Sequence, residues 1–215
     1  MKQSFFLSAF LFTVVTSFAQ EHSLVKLWET DTLLKVPESV LFDAKSKILY
    51  IANIDGQPAE KDGKGSIGKV DLSGKIIAVE WVSGLNAPKG MGKYKNTLYV
   101  SDLTEVVAID IKTGKIIQKI PVEGSVFLND ITIDKKGVVY VSDSRGKKIY
   151  RIENGQVSLF MENLKGPNGL LMHKDDFYVL DQGAMYKIGA DKSLILITDG
   201  MESSTDGIEN VKGKD

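Results

Sequence analysis

The sequence predicts an all-β fold, a β-propeller of which about four and a half blades are present in this chain. Three observations carry that prediction. A polar residue recurs just ahead of an apolar strand start, at Glu38, Lys89, Asn129, Asn168 and Asp206. The interval settles at about 40 residues after a longer first step, which is the period of a radial repeat. Each recurrence also opens a matched series of short strands, and no convincing amphipathic helix follows the N-terminal apolar run.

Residues 1–19 read as a signal peptide, and the propeller domain is assigned to residues 20–215. Lys2 precedes an apolar run from Phe5 to Val15, and Ser17 and Ala19 suit a cleavage site after Ala19. The run is shorter than the roughly 20 apolar residues of a membrane span. Export to the periplasm or the medium is therefore expected, with no membrane association after cleavage. Residues 24–28 are read as an outer strand that closes the last blade.

The strands then follow in order. First strands begin at residues 40–42, 131–133 and 170–172, each leading into a polar turn at 43–46, 134–137 and 173–176. Asp, Asn and Gly suit such turns because they bond their own main chain or accept left-handed backbone. Second strands fall at 49–53, 98–102, 139–143 and 177–181, and third strands at 67–71, 106–110, 149–152 and 185–188. Their Tyr, Val and Ile content fits a pleated, half-buried surface. Fourth strands fall at 76–79, 116–120 and 157–160. A fifth blade has just begun at Asp206 when the sequence stops. A six-bladed ring would need about 240 residues, so the sequence reads as a fragment with open strand edges.

Composition narrows the chemistry. Lys and Arg number 27 against 28 Asp and Glu, for a net charge of −1, with both signs interspersed. No clustered basic patch suggests nucleic acid. With no cysteine, disulfides, thiolate metal sites and cysteine nucleophiles are excluded. His22 and His173 are the only histidines, and neither falls at a channel position.

In a propeller the recurring residues face one axis. Glu38, Asn129, Asn168 and Asp206 would there present hard oxygen donors, a set that favours calcium, with magnesium or manganese behind it. The competing explanation is turn chemistry, since Asn and Asp before Gly often serve only to make a turn. Glu38 is no turn specialist and yet keeps the register. Lys89 could steer an anionic substrate or stabilise an oxyanion; the commoner fate of a lysine is to pair, here with Glu38 or Asp206, or to point to solvent. Asn53, Asp102, Asp143 and Asp181 repeat at the end of the second strand, where backbone bonding is the expected role. Residues 63–69 nearly match a phosphate loop, but Val70 stands where a hydroxyl is needed and a strand follows instead of a helix. Trp28 and Trp81 read as packing aromatics.

The segments Pro37-Glu38-Ser39-Val40, Asn129-Asp130, Pro167-Asn168-Gly169-Leu170 and Asp206-Gly207-Ile208 resemble the calcium-dependent six-bladed propeller hydrolases of the senescence marker protein (regucalcin), gluconolactonase and luciferin-regenerating enzyme family. Diisopropyl fluorophosphatase and paraoxonase are similar in ligand plan. The resemblance implies that Glu38, Asn168 and Asp206 bind the metal and that Asn129 holds substrate or completes the metal shell. It further implies that Asp206 serves as general base or nucleophile. Sugar-lactonase members carry a substrate-binding arginine where this sequence has Phe127, which points to a more apolar lactone or ester. Two functions stand: an exported calcium-dependent hydrolase of a small-molecule lactone or ester, and a non-catalytic NHL-like propeller that binds a protein, peptide or glycan on one face.

Overall fold

The computed structural model describes residues 25–203 and 205–210. Among them are sixteen strands and no helix, arranged as four antiparallel sheets of four consecutive strands each. The first sheet contains β1 (Pro37–Asp43), β2 (Ile48–Asn53), β3 (Gly65–Asp71) and β4 (Ile76–Leu85). The second contains β5 (Pro88–Tyr94), β6 (Thr97–Asp102), β7 (Glu105–Asp110) and β8 (Ile116–Pro121). β9 (Leu128–Ile133), β10 (Val139–Asp143), β11 (Lys148–Glu153) and β12 (Gln156–Met161) form the third. The fourth is β13 (Pro167–His173), β14 (Asp176–Asp181), β15 (Ala184–Ile188) and β16 (Leu194–Thr198). These are the four complete blades that the sequence predicts. Residues 205–210, where a fifth would open, carry no strand.

Local chemistry closes the hairpins. Asp71, Asp110 and Asp134 each accept backbone N–H bonds from the turn that follows them, from Ser73 and Lys75, from Thr113, and from Lys136 and Val138. The turn glycines Gly114 and Gly137 have φ of 70° and 90°, and aromatic rings from the preceding blade, Trp81 and Tyr94, lie where a Cβ would stand. Glycine there serves both the left-handed backbone and the close approach. The longer first step of the repeat has a structural cause. β2 and β3 are joined by residues 54–64, whereas β6 and β7 are joined by residues 103–104 and β14 and β15 by residues 182–183.

Blades meet through three apolar cores. Tyr50, Ile67 and Leu85 of the first blade pack with Met91, Leu98, Val100 and Ile109 of the second. Val106 and Ile120 pack with Leu128, Val141 and Tyr150 of the third, and Ile149 and Met161 with Leu170, Phe177 and Val179 of the fourth. Each fully buried aliphatic side chain contributes about 1.5–3 kcal/mol. Tyr140, Phe160 and Phe177 add a mutual aromatic contact at the last boundary, with ring centroids 4.9–5.6 Å apart.

The first strands β1, β5, β9 and β13 lie side by side around one channel. They are joined there by side chains. Ser39 Oγ donates to the Lys89 carbonyl at 2.6 Å, Ser101 Oγ donates to the Asn129 carbonyl, and Ser144 Oγ donates to the Pro167 carbonyl at 2.7 Å. Asp130 Oδ2 and Thr132 Oγ1 accept the N–H groups of Leu170 and Met172 at 2.7 and 2.8 Å. Gly169 packs against the backbone of Asp206, as Gly90 packs against Asn129 and Asp130, so residues 206–208 occupy the place of the next first strand.

One expectation is corrected. Residues 25–28 form no strand; Val25 and Leu27 are 76% and 86% exposed. They pair with none of the open outer edges of the four sheets. Trp28 instead packs on the Gly74 turn, and with Leu34 it borders an apolar hollow on the open face of the first blade. The expected signal peptide lies outside the described residues.

Candidate functional site in the central channel

Glu38, Lys89, Asn129 and Asn168 are each the second residue of the first strand of their blade. At each of them the pairing with the second strand is interrupted by a register shift, between Pro37 and Ser39, between Pro88 and Met91, opposite Val141 to Asp143, and between Pro167 and Leu170. A bulge lifts one residue out of the ladder and re-aims its side chain. Proline at the first position of three of these strands has no N–H to contribute to a ladder, which suits a strand end.

The channel holds a cavity of about 470 Å³, lined by β1, β5, β9, β13 and residues 206–209. Glu38, Asn129 and Asp206 line it, together with Asp130 and Glu209. Lys89 and Asn168 do not, although Asn168 Oδ1 is buried and has no hydrogen-bond partner. Asp206 is exposed. Among the described residues no three His, Cys, Asp or Glu side chains are grouped to hold a metal ion. The four expected ligands include only two carboxylates, Glu38 and Asp206, so such a set must draw on the amides of Asn129 and Asn168.

The electrostatics single out two carboxyls. Burial pushes Glu38 up to about 7; the nearby charge of Asp206 adds to the rise, Lys89 opposes it and Asp130 adds a little more. Glu38 closes no ion pair and accepts no hydrogen bond among the described residues. Asp130 is likewise pushed by burial to about 7, against the backbone bonds from Leu170 and Ile131 that favour its charged form. Carboxyls that titrate near neutral pH can both give and take a proton.

Lys89 departs from the expectation of pairing or solvent exposure. It is 2% exposed, and its Nζ donates to the carbonyls of Pro58 and Ala87 at 2.9 Å each. Burial lowers its pKa, while the charges of Glu38 and Asp102 act to raise it. Pro58 belongs to the long β2–β3 loop. Phe127, half-buried just before β9, offers its ring to Lys89 Nζ at 4.4 Å. Sequence reasoning passed over Asp130. The signal was present: the matching residues elsewhere are Ser39, Gly90, Gly169 and Gly207, so Asp130 is the one acid in a ring of small residues.

The strand-end acids behave as expected. Asp102 accepts the N–H groups of Asn86 and Ala87, Asp143 those of Val126, Phe127 and Gly146, and Asp181 those of Lys165 and Gly166. Asn53 differs. It donates only a long 3.4 Å bond to Ser66, and its Oδ1 is buried without a partner. The near-phosphate-loop segment runs into β3, as expected.

No protein-family model matches the sequence, and no curated protein matches it. Solved structures do. A chain from a nidogen/laminin complex superimposes with a TM-score of 0.69 at 18% identity, covering 83% of this chain and 70% of that one. A catalytically inactive virginiamycin B lyase from Staphylococcus aureus, solved with quinupristin, superimposes with a TM-score of 0.57 at 15% identity over 82% of this chain and 74% of that one. A streptogramin B lyase gives 0.52 at 13% identity over 82% and 72%. At these identities the likeness speaks for the fold alone. The described residues form a four-bladed arc of a β-propeller.

Proposed function

We propose that this chain is an exported propeller hydrolase that cleaves a small lactone or ester in its central channel, with a hard divalent cation, calcium first, bound by Glu38, Asn168, Asp206 and Asn129. The observation that carries this reading is the shared bulged register of Glu38, Asn129 and Asn168, continued by Asp206 beside Gly169. The donor set suits a hard cation in being all oxygen; Asn168, whose buried Oδ1 lacks a partner, does not line the cavity and must turn toward it to join the set. When bound, the cation supplies Lewis-acid polarisation of the scissile carbonyl.

The chain's own residues then divide the work. The exposed carboxylate of Asp206 takes the proton from attacking water. Asp130, which burial pushes up to about 7 and which is not among the proposed ligands, holds or returns a proton to the leaving oxygen. Asn129 orients the substrate, whose size is bounded by a cavity of about 470 Å³.

The test is thermal unfolding in calcium and in chelator. An ion at about 100 times its Kd, bound only by the folded state, adds roughly 2.7 kcal/mol. Asn168→Ala should abolish that gain, and Asp206→Asn should abolish hydrolysis across a lactone and ester panel. A protein indifferent to both calcium and chelator would exclude the metal site. The second reading, a propeller that binds a protein, peptide or glycan, draws on the likeness to the nidogen/laminin chain; it expects Asp206→Asn to keep its partner.

A further inference from the structure

Phe127 holds two cations against its ring. Lys89 Nζ lies 4.4 Å from the ring centroid and the guanidinium carbon of Arg145 lies 4.1 Å from it. The two come from different blades, Lys89 from β5 and Arg145 from the turn between β10 and β11. The fold builds this arrangement rigidly. Asp143 Oδ1 accepts the N–H groups of both Phe127 and Gly146, at 2.8 and 2.9 Å, and Ser144 N–H donates to the Phe127 carbonyl at 3.0 Å. The segment bearing the ring and the turn bearing the arginine are thus clamped together.

Neither cation is neutralised. The Lys89 ammonium is held by two neutral carbonyls. The carboxylates whose charge it feels are Glu38 and Asp102; neither is an ion-pair partner, and Asp102 is already engaged by the amides of Asn86 and Ala87. Arg145 is exposed and forms no ion pair or hydrogen bond among the described residues, so its planar set of five N–H donors is free. Two like charges fixed around one ring repel, and the attraction of each for the ring is weak in water. The cluster sits beside the channel: Phe127, Lys89 and Arg145 do not line the cavity, but Asn129, two residues past Phe127, and Gly90, one past Lys89, do.

We propose that Arg145, stacked on Phe127 and backed by Lys89, forms an oxyanion-binding platform beside the channel, which selects ligands bearing a carboxylate or phosphate group. A guanidinium matches such groups in a two-pronged geometry. The selection of an anionic substrate rests on the hydrolase reading; the anion site does not. It replaces the apolar substrate that Phe127 alone suggests, since the Arg145 guanidinium lies over the Phe127 ring.

The experiment is a titration of the full chain with inorganic phosphate and, separately, acetate, followed by the amide resonances of Phe127, Ser144 and Gly146. Saturable shifts with a millimolar Kd are expected. Arg145→Gln should weaken binding at least tenfold, and Lys136→Gln, in the turn between β9 and β10, should leave it unchanged. Phosphate alone shifting these amides assigns phosphate ligands, and acetate alone carboxylates. An absence of saturable shifts with either, or equal binding by Arg145→Gln, overturns the platform. A matched pair of anionic and neutral esters separates the two readings. If binding is intact but neither ester is cleaved, the hydrolase fails and the platform stands. If Arg145→Gln cleaves both esters as the unaltered chain does, and phosphate is not bound, the platform fails and the hydrolase stands.

Discussion

Lys93 reaches back from β5 across the first blade boundary and meets Asp43, which is 4% exposed, at 2.7 Å. Burial works to raise the Asp43 pKa, but bonds from Lys93, Ser46 and the Lys45 N–H outweigh it and hold the carboxyl below its ordinary value. A depressed carboxyl stabilises the fold at pH values above its unfolded pKa of 3.8, and that stabilisation is lost as pH falls through the folded value. Lys93→Met should therefore cost about 1–3 kcal/mol at pH 7 by leaving a buried carboxylate short of its partner. Urea unfolding should show the gap closing only below about pH 4; a gap that persists to lower pH would assign the effect to the lysine stem. Lys93 and Lys89 are four residues apart on one strand, and nothing local in the sequence separates their fates. The acceptors of Lys89 include Pro58, which is brought near only by the long loop of another blade. Asp130 stands out in the sequence as the one acid at its register, but its acceptor role, which joins it to Leu170 in the next blade, is not written in any local pattern.

Strand identity was legible because it is local. Alternating β-branched and aromatic residues between Asp-rich turns mark β2, β6, β10 and β14, and the structure places all four there. The supposed strand at residues 24–28 shows the limit of such patterns: apolar residues make a strand only where they meet a ladder edge, and that meeting is a tertiary fact. The strand-end acids allow a test at this scale. Asp181→Ala would strand the N–H groups of Lys165 and Gly166 and should cost about 1–3 kcal/mol. Asn53→Ala removes one long bond and one unpartnered oxygen and should cost less than about 1 kcal/mol. Denaturant unfolding of the two variants compares them directly. Gly90→Val should destabilise more than either, because its side chain would enter the backbone of Asn129 and Asp130 at the channel wall.

Across the whole molecule, the middle two blades are covered on both faces and the outer two on one. β16 shows the result: Leu194, Ile195, Leu196 and Ile197 are 39–52% exposed. Contiguous exposed apolar residues on an edge strand invite pairing with another chain. Replacing Ile195 and Ile197 with lysine should reduce concentration-dependent association in analytical ultracentrifugation, while changing stability by less than about 0.5 kcal/mol each. The blade repeat was legible from the sequence, and the structure has its four complete blades. The channel wall was only half legible: Glu38, Asn129 and Asp206 line it as expected, but Asn168 and Lys89 keep the register without reaching the cavity.

The manner in which the blades are joined has one more consequence. Ladder hydrogen bonds stay within each blade, and the boundaries near the channel are crossed by side chains such as Ser39, Asp130 and Thr132 and by the Leu128 N–H, which donates to the Leu103 carbonyl. The molecule is then a short chain of coupled units, each stabilised by its neighbours. Its amides should exchange with deuterium blade by blade, the outer blades opening first and β6 and β10 last, so that the channel comes apart from its flanks inward.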